Sequence, residues 1–174
     1  MFSYKLVGAL FIVSSMFLLG QKVAASFGVR VAILRDLVFA LQILETEVSF
    51  ALSPLATAAS RIARGARTPA TKTFFAQVAF ELANTDQPLH QVWFQLTKAV
   101  LGFYPLTDGD LEVIGRLGLH LGLTNRQDQV VHITRIRMAL EGALQEAQEQ
   151  SQKYQGLCQK VGLTLGLTFA LLCW

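Results

Sequence analysis

The sequence has little charge and almost no cysteine. Only 16% of its 174 residues are charged and 52% are apolar, whereas about 25% of the residues in a typical soluble domain are charged. Two cysteines, Cys158 and Cys173, are too few for a disulfide framework. A chain of this length forms one domain with a real core, so its apolar excess must lie in a membrane, in an interface or in both.

The motifs of common enzymes and cofactor sites are also absent. The sequence contains no H-E-x-x-H, no C-x-x-C, no Walker loop, no dinucleotide fingerprint and no G-x-S-x-G. The three histidines, His90, His120 and His132, fall on three different predicted helices. Aromatic residues do not interleave with the basic ones, so the net charge of +3 does not indicate nucleic acid. We therefore predict a protein that is not an enzyme and binds no cofactor, metal or nucleic acid.

Long uncharged runs occupy the two ends of the chain. Residues 6–20 read LVGALFIVSSMFLLG and are flanked by lysines, and residues 161–174 read VGLTLGLTFALLCW. Both are shorter than the roughly 20 residues of a spanning helix. Flanking lysines can extend to the interface, however, and Trp174 can lie there. We expect membrane segments at both ends.

The charges around the first segment predict its orientation. Lys22, Arg30 and Arg35 follow it before the first acidic residue of the chain, Asp36. By the positive-inside rule, the central domain is then cytoplasmic. An alternative stays open, because the small residues at 23–25 fit a signal-peptidase site. Cleavage there would give a secreted or membrane-surface helical adaptor.

The central residues show no strand alternation, and helix start and stop signals recur along them. The predicted helices cover 29–52, Pro54–Gly65, a stretch after Thr68-Pro69, a stretch after Asp86-Gln87-Pro88, a stretch after a capping box at Thr107–Asp110, and a long helix after a second box at Thr124–Gln127. The fold class is therefore all-α, an antiparallel bundle of about six helices flanked by N- and C-terminal membrane segments. The predicted organisation is an N-terminal transmembrane segment with its juxtamembrane stretch at 1–28, a cytoplasmic bundle at 29–160 and a short transmembrane segment at 161–174.

The first helix of the bundle places a carboxylate within an apolar face. That face is formed by Leu34, Leu37, Val38, Leu41, Leu44, Val48 and Leu52, and it includes Glu45. Phe39, Ile43 and Phe50 lie opposite, which predicts that the helix is covered on both sides. A carboxylate in such a face needs a cation or several N–H donors. Either Glu45 forms a half-buried pair with an arginine, or Glu45 and Glu47 lie in a groove that binds a basic partner.

A basic run and a glycine pattern follow further along the chain. Arg61, Arg64 and Arg67, with Lys72 beyond, have no acid between them. They form either a solvated face near a helix C-terminus or a contact surface for anionic lipid or an acidic partner. The glycines of GRLGLHLGL alternate with apolar residues, which predicts close helix packing.

The order of these features resembles a known family. Glu45-Thr46-Glu47 followed by Ser53-Pro54-Leu55 is its most telling part, and Leu117-Gly118, Gln129, Lys153-Tyr154 and the apolar C-terminus support it. In this order the chain resembles the stage III sporulation protein AB family of endospore-forming bacteria, over essentially its whole length. It departs from the family at Leu157-Cys158, where Leu-Gly is expected.

The resemblance implies a role that periodicity cannot show. Family members are similar to the cytoplasmic domains of the inner-membrane platform proteins of type II secretion and type IV pilus systems. They belong to the channel complex that joins mother cell and forespore, in the mother-cell membrane around the forespore. The implied partners are sporulation protein AA, a secretion-type ATPase, and the other membrane proteins of the channel; a homo-oligomer is also compatible with the sequence. The protein itself would be a non-catalytic coupler.

The resemblance also assigns residues. Glu45 and Glu47 match the acidic motif of the family, and Pro54-Leu55 matches the turn that follows it. Together with the neighbouring arginines they define a docking region, our hypothesis for the partner-binding surface. Its members are Glu45, Glu47, Pro54, Leu55, Arg61, Arg64 and Arg67.

Overall fold

The described part of the chain is helical. The computed structural model describes residues 2–51, 54–85, 87–119, 121 and 125–172, and it describes side chains chiefly for 25–50, 54–85, 87–119, 121 and 125–154. The α-helices are α1 (Phe2–Thr46), α2 (Leu55–Gly65), α3 (Pro69–Asn84), α4 (Leu89–Leu96), α5 (Asp108–Leu117) and α6 (Arg126–Leu172), and two short π-helical segments cover Glu47–Ala51 and Thr97–Leu101. The predicted all-α fold is confirmed, and no strand occurs within these ranges.

The predicted membrane segments are not tested by the described residues. Among the described residues, no helix combines the length and the apolar character needed to cross a bilayer. Most side chains of the segments predicted at 6–20 and 161–174 lie outside the described ones. Both segments, and the domain boundaries drawn from them, stay predictions.

The chain forms two compact units. The first comprises Met1–Val31 and Glu146–Trp174, and the second comprises Ala32–Gln145. In the first unit the phenyl ring of Phe27 stacks on the ring of Tyr154, with 5.3 Å between centroids. The Nη1 atom of Arg30 donates a hydrogen bond to Oε1 of Gln150 at 3.1 Å. These two contacts run in opposite directions along the two helices, so α1 and α6 are antiparallel there.

The core of the second unit is built on one face of α1 and on three aromatic rings. Leu34, Leu37, Leu41 and Leu44 are buried, which confirms the apolar face predicted for this helix. Phe74 and Phe75 of α3 contact Trp93 of α4 with nearly perpendicular rings and centroids 5.1 and 5.9 Å apart. The indole N–H of Trp93 donates to the carbonyl of Ile114 at 2.8 Å, which joins α4 to α5. The polar end of the buried indole is thereby satisfied.

Gly118, directly after α5, permits this arrangement. A Cβ atom at this position would lie 2.6 Å from Cβ of Trp93 and 2.7 Å from its Cγ. Such separations are far below van der Waals contact, so a side chain here would displace the indole. The close packing predicted from the glycine pattern is confirmed at Gly118.

Local start signals place most helix ends. Thr68 caps α3 by accepting from the N–H of Thr71, and Pro69 is the first helical residue. The capping box predicted at Thr107–Asp110 is present at the start of α5. At α6 the side chain of Asn125 accepts from the N–H of Asp128 at 2.9 Å, so this asparagine caps the helix. The other predicted start residues, Ser53, Asp86 and Thr124, lie outside the described residues, as does His120.

One prediction about the first helix of the bundle is confirmed as far as Ala51, and one is wrong. The helix expected at 29–52 is present, with a π-helical last turn over Glu47–Ala51. The outer face expected to be covered is open, because Phe39 is 46% exposed and Phe50 is 82% exposed. Periodicity identifies two apolar faces on this helix, but the bundle packs against the leucine face.

Candidate docking region

Glu45 forms a half-buried ion pair with α6. Its Oε2 accepts from Nε of Arg137 at 3.2 Å, and its Oε1 accepts from the hydroxyl of Thr134 at 2.9 Å. Arg137 also donates through Nη1 to Oε1 of Glu141 at 2.5 Å. The geometry therefore favours the Glu–Arg pair over the open acidic groove as the interpretation of Glu45.

The two carboxylates beside Arg137 stabilise its charged form. Burial alone would lower its pKa, but hydrogen bonds and attraction from Glu141 and Glu45 together raise the pKa above its ordinary value. The guanidinium stays protonated at every physiological pH. Two carboxylates thus share one cation at this edge of the bundle.

Glu47 is the first residue of the π-helical turn, and it contacts α2. Its Oε1 accepts from Nη1 of Arg61 at 2.8 Å. Its Oε2 is buried and has no hydrogen-bond partner within the described part of the chain. Only 13% of this side chain is exposed, against 50% for Arg61. The pair joins the end of α1 to α2, and one carboxylate oxygen keeps an unused acceptor.

A third acid, Asp36 of α1, has the most hydrogen-bond donors, although no sequence motif singles it out. Only 5% of Asp36 is exposed. Its Oδ2 accepts from the N–H and the hydroxyl of Thr68, each at 2.8 Å, and the N–H of Arg67 lies 3.1 Å away. Because Thr68 caps α3, the carboxylate lies at the positive end of that helix. Spacing could have found it, since Ile33, Asp36 and Ala40 form one stripe and all three are buried.

The arginines of the docking region face solvent. Arg61, Arg64 and Arg67 are exposed, as is Pro54, whereas Leu55 is half-buried. Neither Arg64 nor Arg67 forms an ion pair with another described residue. The backbone of Arg67 is held by Asp36. The charge that this region presents to a partner is therefore positive, because the carboxylates of Glu45 and Glu47 already have guanidinium partners.

The described residues contain no cluster of metal-ligand side chains. No three side chains of His, Cys, Asp or Glu lie close enough there to hold an ion. His90 lies on α4 and His132 on α6, and both are half-buried. The predicted lack of cofactors stays a prediction.

Comparison with known proteins identifies the family. The family described as "Stage III sporulation protein AB" matches residues 5–174. The chain belongs to this family. The stage III sporulation protein AB of Bacillus subtilis (strain 168) is 30% identical over 168 residues, which cover 97% of this chain and 98% of that protein.

A solved structure of stage III sporulation protein AB shares the fold. Its TM-score to this chain is 0.67 at 31% identity, and the match covers 73% of this chain and 98% of that one. The resemblance drawn from the sequence is confirmed. In this member of the AB family, however, the acidic motif is engaged within the bundle, and the arginines after it remain available.

Proposed function

We propose that this AB-family protein acts in sporulation as a non-catalytic platform of the channel that joins mother cell and forespore. It lies in the mother-cell membrane around the forespore, with its central domain in the cytoplasm, and docks sporulation protein AA, a secretion-type ATPase. Family membership over nearly the whole chain supports the role in sporulation.

The membrane attachment is argued from the ends of the chain. The uncharged run at 6–20 belongs to α1, and the described part of the second run, residues 161–172, belongs to α6; both helices continue into the bundle. Cysteine accessibility from each side of the membrane tests the topology. N-terminal sequencing that finds residues 1–25 removed would favour the surface adaptor instead.

Docking is argued from the exposed arginines, which carry the proposal. Arg64 and Arg67 are exposed cations on a segment with two anchors: the buried carboxylate of Asp36 binds the chain just before α3, and the half-buried carboxylate of Glu47 pairs with Arg61 of α2. Charges on a rigid support steer and orient an oppositely charged partner. We therefore assign the contact with an acidic surface of the ATPase to the arginines, and a supporting role to Glu45 and Glu47.

Charge reversal tests this assignment. The double variant Arg64→Glu, Arg67→Glu of the full-length chain should capture purified sporulation protein AA at least tenfold less well than the wild type. The matched control is Arg126→Glu, Arg135→Glu, which changes the net charge equally at two exposed arginines of α6. We expect the control to stay within twofold, and the circular dichroism of both variants to match the wild type.

Anionic lipid is the competing ligand for the same arginines. Flotation of the two double variants with anionic vesicles separates the cases. Full ATPase capture by the Arg64→Glu, Arg67→Glu variant, together with lost flotation, would assign the arginines to lipid and refute docking.

A further inference from the structure

A groove between α4 and α5 lies on elements that the docking region does not use. It has a volume of about 420 Å³ and is open to solvent, and its lining is mostly apolar. Phe94 of α4 and Leu119, just after α5, form its walls, and Gly115 of α5 also lines it. Both wall residues are more than half exposed although they are large and apolar. Exposed apolar side chains around a concave surface are typical of a protein-binding site.

Gly115 gives the groove its depth. A Cβ atom on Gly115 would meet only Cδ2 of Phe94, at 3.8 Å, which is ordinary van der Waals contact. Alanine would therefore fit, and alanine stabilises a helix relative to glycine. Gly118 differs, because Trp93 occupies the space beside it. The packing of the bundle thus explains Gly118 but leaves the bare backbone at Gly115 unexplained.

The rim of the groove carries cations. The ammonium group of Lys98 lies 4.7 Å from the ring centroid of Phe94, and Lys98 is exposed without an ion pair in the described chain. Arg116 pairs with Glu112 at 2.6 Å, but both side chains are largely exposed. Such surface pairs are weak, so a carboxylate of a partner can displace Glu112 from Arg116 at little cost.

We infer that this groove binds an acidic amphipathic helix of a partner protein. A bulky apolar side chain of that helix lies over Gly115 between Phe94 and Leu119, and its flanking carboxylates pair with Lys98 and Arg116. This is the helix-in-groove mode of recognition, in which apolar anchors give affinity and the charges at the rim give orientation. The inference does not rest on the docking of the ATPase at the arginines.

Two matched peptides test the groove. Both are fluorescent, stapled 18-residue helices with leucines along one face; one carries glutamates beside them and the other carries lysines. Binding to the full-length chain, held in nanodiscs of zwitterionic lipid, is followed by fluorescence anisotropy. We expect the glutamate peptide to bind at least tenfold more tightly, with the difference shrinking as salt is added. Equal affinity for the two peptides would overturn the inference.

A substitution that fills the groove provides a second test of the inference. Gly115→Leu should weaken binding of the glutamate peptide at least tenfold. The control is Gly142→Leu, an exposed glycine inside α6 with no atom within 4 Å of a Cβ, and it should leave binding within twofold. Equal effects of the two substitutions would refute the groove as the site. If Gly115→Leu loses helicity, Leu119→Gln replaces it, with an expected weakening of at least threefold and the same interpretation.

Self-association and ATPase capture separate the remaining cases. Sedimentation of the chain without peptide should show no self-association that the Gly115→Leu substitution abolishes. If such self-association is found, the occupant of the groove is a second copy of the chain, and the inference of a different partner fails. Gly115→Leu should still capture sporulation protein AA like the wild type. Failure of the arginine variants and failure of the groove variants are therefore distinguishable.

Discussion

Two regions of α1 hold carboxylates in different ways. Asp36 is nearly fully buried and is bound by N–H and hydroxyl groups of the chain before α3. Glu45, near the end of α1, pairs with Arg137 and also accepts from Thr134, and Glu47, the first residue after α1, pairs with Arg61. A buried carboxylate that accepts several hydrogen bonds contributes strongly to the stability of a fold, because its removal leaves the donors without an acceptor. An ion pair at an edge contributes less and can be rearranged by a partner.

The largest effect should come from Asp36→Asn. The amide oxygen can replace Oδ2 and accept from Thr68, but the NH₂ group then takes the place of Oδ1 and faces the N–H of Arg67, which is also a donor. We expect the free energy of unfolding to fall by about 2–4 kcal/mol, since a buried network loses its charge and part of its hydrogen bonding. Urea unfolding followed by circular dichroism measures it. A loss below roughly 0.5 kcal/mol would show that the contrast between the two regions of α1 is wrong.

Two glycines allow a second comparison between the interior and the edge of the bundle, this time of the effect of an added methyl group on stability. Gly118→Ala forces a methyl group against Trp93 and should destabilise the protein by about 1–3 kcal/mol. Gly115→Ala meets no such obstacle and should be neutral or stabilising by up to about 1 kcal/mol. Thermal unfolding of both variants side by side checks the difference. Equal shifts in Tm would contradict the packing described for Trp93.

Removing the guanidinium of Arg137 at the edge of the bundle should lower the free energy of unfolding by a smaller amount. Arg137→Met leaves Glu45 and Glu141 without their shared partner, and we expect a loss of about 1 kcal/mol because the site is only half-buried. A raised pKa means that the contribution of Arg137 is complete below its ordinary pKa and is lost only as the pH rises through the still higher folded value. The loss should therefore be equal at pH 7 and pH 10, which urea unfolding at both values tests. A cost that shrinks by pH 10 would contradict the raised pKa.

The smallest effect on stability is expected at Glu47. Glu47→Ala removes the pair with Arg61, but Arg61 is half exposed and water can solvate it, and the substitution also removes a buried oxygen that has no partner, so the expected loss is below about 1 kcal/mol. Capture of sporulation protein AA should nevertheless fall several-fold, with unchanged circular dichroism, because α2 loses its link to α1. Undiminished capture by a chain that lacks both Glu45 and Glu47 would exclude even a supporting role for the acidic motif.

Much of the local structure was predictable from short-range patterns. The caps at Thr68 and Thr107 act within one helical turn, so neighbouring residues suffice to identify them. The leucine face of α1 follows from the 100° period. The resemblance to the AB family rested on the order of several such features, and the match over residues 5–174 confirmed it.

The candidate site was less predictable, because its charges act across long separations. Arg137 lies 92 residues after Glu45, and Thr68 lies 32 residues after Asp36. No local pattern gives such a pairing. The sequence therefore left open whether Glu45 pairs with an arginine or lies in a groove for a basic partner, whereas the structure shows Glu45 and Glu47 paired within the bundle and Arg64 and Arg67 exposed.

The sequence by itself determined the helices, several of their caps, the apolar face of α1 and the family, since each of these depends on residues within a few turns or on their order along the chain. The tertiary structure alone decided which carboxylates are satisfied, which aromatic side chains stay exposed and where the groove beside Gly115 opens. The physical reason is that burial and ion pairing depend on which helices pack together. Helix packing brings residues far apart in the chain within about 3 Å of each other.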